Sequence, residues 1–333
     1  MKKAADIQHI FKSFNDLKVL IIGDVMIDSY MWGHVTRISP EAPVPIVAVE
    51  KKEDRLGGAA NVALNIQAMG ATPILCSIVG ADKNGKLFSD LLKKQKIQTT
   101  AILHSSHRIT TVKTRVIGNN HQMLRVDEEV ITPLNSKEID LLVNTVKKMV
   151  STQKIDVIIF EDYDKGCLTP GVIKRILEIA NKKNIPTAVD PKKNNFWEYT
   201  GVTLFKPNLK ELKEGLKLDF DPLNNTELNA VVSQFTKKQK IKTALVTLSD
   251  KGMYIHSADS KQIIPAHIRT ISDVSGAGDT VISIAALCMA AGLHPVTTAT
   301  LANLAGGLVC EQTGVVPINK KQLLKEASQL SLK

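Results

Sequence analysis

The residues best suited to chemistry are concentrated at Asp273 to Asp279 (DVSGAGD), where a glycine-rich turn, a helix start and a carboxylate fall together. The Ala-rich run 279–291 (DTVISIAALCMAA) predicts a buried helix, which puts the turn Ser275-Gly276-Ala277-Gly278 at its N-terminus. N–H groups at such a terminus lack helical partners and bind anions. Gly276 and Gly278 let the backbone approach a ligand, and Asp279 sets a potential base beside the anion. That combination suits phosphoryl transfer. An Asp capping an apolar helix accounts for the same residues without chemistry. Two other glycine patterns lack a mechanism. Gly80 to Leu87 (GADKNGKL) nearly spells a P-loop, but Leu87 has no hydroxyl for the magnesium ion. Gly276 to Val281 lacks the third glycine of a dinucleotide fingerprint.

These residues must be positioned by the elements around them. Val19 to Gly23 (VLIIG) reads as a buried strand opening a site at Asp24, and a helix over about Ala59 to Met69 follows. Ile74 to Val79, Val157 to Phe160, Thr187 to Val189, Thr203 to Phe205 and Ala244 to Thr247 repeat the apolar pattern between helix-length amphipathic segments. The alternation predicts a doubly wound α/β sheet. Ligands of such sheets bind at the carboxyl ends of the strands, where Asp24, Asp162, Asp190, Asn208 and Thr247 fall. Residues 30–56 and 99–127 break the rhythm and read as strands, notably Thr110 to Ile117 and Gln122 to Val126. No linker, repeat or low-complexity tract divides the chain.

The 333 residues, 44% hydrophobic, can bury a core as one large or two smaller domains. Aromatic content of 4% leaves that core to Ile, Leu, Val and Ala, as a parallel sheet covered on both faces requires. The N-terminus MKKAADIQHIFKSF starts basic but lacks the apolar middle and cleavage site of a signal peptide, and no 18-residue apolar run exists. A cytoplasmic location without membrane contact is expected. Cys76, Cys167, Cys288 and Cys310 are dispersed, without a C-x-x-C pair, and read as reduced structural thiols. The net charge of +10 comes largely from lysine pairs such as Lys93-Lys94 and Lys237-Lys238 on amphipathic helices. Solvated faces explain them, and no nucleic-acid motif or stacking platform accompanies the charge. Nucleic acid is therefore not an expected partner.

The wider pattern resembles the PfkB, ribokinase-like carbohydrate kinases. Their D-x-x-G-A-G-D signature matches Asp273 to Asp279, and their Gly-Gly pair followed by Asn matches Gly57-Gly58-Ala59-Ala60-Asn61. Gly23-Asp24, Asp162 to Gly166 (DYDKG), Asp190-Pro191-Lys192 and Asn208 to Glu211 follow in the expected order, so the likeness spans nearly the whole chain. Within that family, Arg37 to Pro45 (RISPEAPVP) resembles the signature of the heptose 7-phosphate kinases of lipopolysaccharide synthesis. The resemblance implies one kinase domain over 1–333, a β lid formed by about 30–56 and 99–127, and pairing through the lid into a homodimer. An exposed β edge is an independent reason for pairing. It also makes Gly80 to Leu87 a turn before a helix. The chain ends without the H-x-G-H type motif of a nucleotidylyltransferase, so that downstream step is expected of a separate polypeptide.

The implied reaction is ATP-dependent phosphorylation of D-glycero-β-D-manno-heptose 7-phosphate at its anomeric hydroxyl, giving the 1,7-bisphosphate. Another PfkB sugar, sugar-phosphate or nucleoside kinase is the alternative, and a silent sugar-phosphate-binding regulator is the alternative of another class. Asp279 would be the base, with the N–H groups of Gly276, Ala277 and Gly278 as the anion hole. Asn208 and Glu211 match an N-x-x-E element that holds magnesium through water, although Asn followed by Glu also spells a capping box. Asp24, Asp28 and Asn61 supply acceptors and a donor for sugar hydroxyls, and Gly57 and Gly58 permit close approach. A solvent-facing turn is the plain alternative for Asp28. Arg37, Lys113, Arg115, Arg125, Lys165 and Lys192 are cations available to phosphate, with Arg115, Arg125 and Lys165 assigned to the sugar side and Lys192 to the nucleotide. Thr247, Ser249, Gly252 and Asn303 match nucleotide-side positions, and a monovalent cation such as K⁺ joins ATP and Mg²⁺ as a cofactor. Ser249 stands where the family has Gly, and Lys206 carries no expected role.

Overall fold

A computed structural model describes residues 7–222 and 224–330. The basic start of the N-terminus and the final Lys333 lie outside the described residues.

Parallel strands form the middle of a nine-stranded sheet whose edge-to-edge order is β13-β12-β11-β10-β9-β8-β1-β4-β5. Its parallel members are β1 (Lys18–Gly23), β4 (Thr72–Gly80), β5 (Ile102–Ser105), β8 (Val157–Glu161), β9 (Thr187–Asp190), β10 (Leu204–Phe205) and β11 (Thr243–Thr247). An antiparallel extension, β12 (Met253–His256) and β13 (Lys261–Ile264), completes one edge. Alternation along β1 shows why the runs are continuously apolar. Val19 and Ile21 enter one core, Leu20 and Ile22 the other, and all four are buried. The first core is closed by α1 (Ile7–Ser13), α2 (Ala59–Ala68), α8 (Ala277–Ala290), α9 (Pro295–Val309) and α10 (Lys320–Ala327). The second is closed by α4 (Ser136–Thr152), α5 (Pro170–Lys182), α6 (Leu209–Leu216) and α7 (Asn225–Gln239). All four cysteines are buried free thiols, and burial pushes the thiol of Cys76 up to about 12. No described helix is long and apolar enough to cross a membrane.

The doubly wound expectation is met, and so is the second sheet. It comprises β2 (Val25–Ile38), β3 (Pro45–Gly58), β6 (Val112–Gly118) and β7 (His121–Glu128), in the order β3-β2-β6-β7. Ile102–Ser105 differs from the expected lid boundary by pairing with β4 in the large sheet. A strand this short carries no periodicity to say which sheet it joins. The Gly80 to Leu87 run turns into α3 (Lys83–Lys94), where Asp82 caps the helix by accepting the Gly85 N–H at 2.7 Å.

The two sheets meet at Asp24. β2 leaves β1 immediately after it, and α2 starts where β3 returns, with the Ala59 N–H donating to the Asp24 carbonyl at 2.9 Å. Gly58 makes that junction in the left-handed region at φ 59°, where a Cβ would come within 2.5 Å of the same carbonyl.

Candidate active site

α8 begins at Ala277, at the carboxyl ends of the central strands. Gly276 caps it with φ 80°, so the turn reverses sharply and presents its amides. The N–H groups of Gly276 and Gly278 have no hydrogen-bond partner among the described residues, whereas the Ala277 N–H donates to the Val274 carbonyl at 3.3 Å. Asp273 shapes the turn from below. Its Oδ1 accepts the Ser275 N–H and its Oδ2 the Gly314 N–H, both at 2.9 Å.

Asp279 lies on the first turn of α8 and is 3% exposed. Its Oδ1 accepts the Tyr163 hydroxyl at 2.6 Å, and its Oδ2 accepts the Asn61 amide at 2.7 Å. Burial pushes the carboxyl up to about 6, against the two hydrogen bonds that lower it. A base poised near neutrality is what proton abstraction at physiological pH requires. Asn61, expected at the sugar, is therefore committed to Asp279 by its amide.

In front of the α8 terminus lies a cleft of about 1180 Å³, lined by Gly276, Ala277, Gly278, Asp279, Lys192, Asn208, Glu211, Thr247, Ser249, Gly252 and Asn303. The structure thus gathers every residue expected to meet the nucleotide or the transferring group. The volume exceeds that of a usual small-molecule pocket, which leaves space for a nucleotide beside an acceptor. Ser249 sits in the left-handed region at φ 54°, so the conformation that suits Gly is retained by a residue with a side chain. Asn303 donates to the Pro265 carbonyl at 2.8 Å, which fixes its amide against the cleft wall.

Asn208 and Glu211 form the capping box of α6. Asn208 Oδ1 accepts the Glu211 N–H, and Glu211 Oε2 accepts the Asn208 N–H, each at 2.8 Å. The second Glu211 oxygen pairs with Lys192. The capping reading is therefore realised. Carboxylate and amide oxygens keep lone pairs after one bond each, so the pair still suits a hydrated divalent ion. Among the described residues no cluster of three or more His, Cys, Asp or Glu could hold a metal directly.

Lys206, which had no sequence role, is 2% exposed and pairs with Asp190 at 2.7 Å. Burial works against its charge, but Asp190 and Glu211 outweigh it and raise its pKa. Glu161 is fully buried beside this pair, with neither carboxylate oxygen hydrogen-bonded among the described residues. Burial and the Asp190 charge push it far toward the protonated form.

Among the residues expected to meet the sugar, the structure shows other partners. Asp24 is spent on backbone: its Oδ2 accepts the N–H of Tyr163 at 2.9 Å and of Lys165 at 3.1 Å, and its Oδ1 that of Cys167 at 2.9 Å. Asp162, at the next strand end, is likewise occupied by Asn195 and Tyr199. Asp28 is no turn residue. It lies within β2, 3% exposed, and pairs with Arg115 across the β2–β6 ladder. Gly57 packs against it so closely that a Cβ would come within 2.1 Å of its Oδ2. Arg125 grips Asp127 with two bonds at 2.8 and 2.9 Å, and Lys165 pairs with Glu129 at 2.8 Å. Arg37 is exposed. Lys113, half-buried beside Asp28 in the ladder, closes no ion pair among the described residues, and burial together with Lys165 lowers its pKa.

Three residues not assigned a role from the sequence make further contacts: Tyr163 on Asp279, and Tyr30 and Arg55 on the loop after α9. The Tyr30 hydroxyl accepts the Val315 N–H at 3.2 Å, and Arg55 donates to the Val315 carbonyl at 3.3 Å, tying the second sheet to the loop after α9. Tyr163 lies within the DYDKG run, which was its available signal. The 30–56 stretch gave no local cue to partners near residue 315.

The model of the pfkB family of carbohydrate kinases matches residues 16–322. Two bacterial relatives, each named bifunctional protein HldE, are similar along almost all of the chain. The one from Trichlorobacter lovleyi is 34% identical over 97% of this chain, and the one from Caulobacter vibrioides 38% over 96%. The chain spans 65% of the length of each. Among solved structures, phosphofructokinase-2 from Escherichia coli in complex with potassium superposes with a TM-score of 0.80 at 17% identity, covering 95% of this chain and 99% of that one. Ribokinase from Arabidopsis thaliana, complexed with ribose and ATP, gives 0.69 at 16% identity, covering 93% and 98%. At these identities the two structures establish the fold.

Proposed function

The chain belongs to the pfkB family of carbohydrate kinases, and we propose that it transfers the ATP γ-phosphoryl group to the anomeric hydroxyl of D-glycero-β-D-manno-heptose 7-phosphate. The observation that carries the transfer is the placement of Asp279 and the free Gly276 and Gly278 amides on one helix terminus inside one cleft. The similarity to HldE proteins and the Arg37 to Pro45 run support the heptose. In this reading the product, heptose 1,7-bisphosphate, feeds ADP-heptose and lipopolysaccharide core synthesis.

Asp279 accepts the proton of the acceptor hydroxyl as the new O–P bond forms and the bond to the β-phosphate oxygen breaks. The amides at the α8 start stabilise charge on the transferring group, and positioning supplies much of the rate. Lys192 and Lys206 add positive charge to the same cleft. Asn208 and Glu211 would hold Mg²⁺ through water, and the ion would neutralise charge on the nucleotide phosphates. K⁺ is the further cofactor of this reading, supported by the potassium complex of phosphofructokinase-2.

Asp28, Gly57 and Gly58 face the sugar in this account, and Arg115, Arg125, Lys165 and Lys113 supply cations for its phosphate. β3 and β7 are the edges of the second sheet, with Val49, Leu124 and Val126 exposed by 43%, 57% and 45%. Such edges and apolar side chains favour a homodimer formed through this sheet. The test is ATP consumption with magnesium across heptose 7-phosphate, fructose 6-phosphate, ribose and adenosine, with the product identified by NMR. Selective phosphorylation of the heptose at C1 is expected, and preference for another acceptor would overturn the substrate.

A further inference from the structure

Asp279 has both carboxylate oxygens engaged, Oδ1 by the Tyr163 hydroxyl at 2.6 Å and Oδ2 by the Asn61 amide at 2.7 Å. The terminal torsion of a free Asp is broad, and two donors on opposite oxygens remove that freedom. Each oxygen keeps a second lone-pair site, so an acceptor hydroxyl can still be received. Tyr163 is itself fixed. Its N–H donates to Asp24, which also takes the N–H groups of Lys165 and Cys167, so residues 163–167 wind around one buried carboxylate. The Lys192 ammonium lies 5.2 Å from the centroid of the Tyr163 ring and pairs with Glu211. A chain of contacts therefore runs from the capping box of α6 through Lys192 and Tyr163 to the base.

We propose that Tyr163 is a positioning residue of the phosphoryl transfer, its hydroxyl orienting the Asp279 carboxylate and restraining its basicity while the segment wound on Asp24 holds the phenol in place. This rests on Asp279 as the base and is independent of which sugar accepts the phosphoryl group. Burial and the Asp190 charge favour the protonated acid, which cannot take a proton. The phenol donor opposes that effect together with the Asn61 amide and the Lys206 ammonium, and the buried Glu161 carboxyl also interacts with Asp279. A general base must also meet the reacting hydroxyl at about 2.6–3.2 Å, so loss of orientation lowers turnover directly.

The test is Tyr163→Phe, which keeps the ring and its packing and removes the donor. With ATP, magnesium and heptose 7-phosphate, kcat is expected to fall roughly 10- to 100-fold, the scale of one hydrogen bond to a charged group, with KM for ATP unchanged. The acid limb of kcat/KM is expected to move up by about one pH unit, because the ionised carboxylate loses a donor. A phenol that only fills space would leave that limb where it was. Independently of turnover, ¹³C-carboxyl NMR of Asp-labelled protein, with Asp279 assigned through Asp279→Asn, should show the same upward displacement in Tyr163→Phe. An unchanged titration overturns the proposal. Should the wild-type protein ignore heptose 7-phosphate, the substrate reading fails, and the NMR titration still decides the role of Tyr163.

Discussion

The cleft before α8 and the second sheet of this molecule are built in different ways. In the cleft before α8, the expected residues converge and much of the apparatus is backbone: a helix terminus, a glycine turn and the ends of parallel strands. Along the second sheet Arg115 and Arg125 each hold a carboxylate partner, as does Lys165 in the loop after β8, and the groups proposed to recognise the acceptor are long side chains. A backbone site is dictated by local sequence and fixed by a packed core. A side-chain site depends on which strand lies beside which, and its charges can be spent before any ligand arrives.

The strongest way to break this contrast is Asp279→Asn. Turnover should fall roughly 10²- to 10⁴-fold, the usual contribution of a general base, while ATP affinity measured by calorimetry stays near the wild-type value. Near-normal turnover would leave the helix terminus as a binding feature without its base.

That region was legible because its logic is local. The DVSGAGD run carries the turn, the terminus and the carboxylate together, and buried parallel strands announce themselves as short apolar runs. The rest was hidden in distance. Arg115 and Asp28 lie 87 residues apart, and Tyr163 and Asp279 116 apart, so neither pair is visible until β6 flanks β2 and β8 lies beneath α8. Asp24 looked like a ligand residue because it ends a strand, but three backbone N–H groups, all more than a hundred residues away, claim it. Lys206 became intelligible only when β10 was found beside β9, bringing Asp190 to it.

Lys206→Met probes how far the cleft depends on that hidden pair. Both partners are almost fully buried, and removing the cation strands Asp190, whose Oδ1 already lacks a hydrogen bond among the described residues. Breaking a buried pair on one side costs about 3–5 kcal/mol, readable as a lower urea midpoint. Lys206→Met combined with Asp190→Asn should recover much of the loss, since the isolated charge is gone. A loss below about 1 kcal/mol in the single variant, the surface-pair range, would mean that the cleft floor tolerates the charge unaided.

On the second sheet, Lys113→Met sharpens the contrast more cleanly than any arginine change, because Lys113 leaves no ion-pair partner behind among the described residues. KM for the phosphorylated acceptor should rise about tenfold, the lower scale of a charge-assisted contact, with KM for ATP unchanged. Arg115→Ala should lower turnover as well as raise KM, because it also frees the buried Asp28. Equal rises in both KM values for Lys113→Met would remove it from the acceptor's phosphate.

The smallest effect returns to the cleft. Ser249 holds φ at 54° in the turn between β11 and β12, a region that costs a residue with a Cβ roughly 1–2 kcal/mol. Glycine removes that strain but gains more freedom in the unfolded chain, which offsets up to about 1 kcal/mol. Ser249→Gly should therefore raise stability by less than about 1 kcal/mol in urea unfolding, because the two terms nearly cancel. If the Ser249 hydroxyl also contacts nucleotide phosphate, KM for ATP rises in the same variant while stability is kept. A gain in stability with KM unchanged would show that the loop contributes its backbone shape alone, as the glycine turn before α8 does.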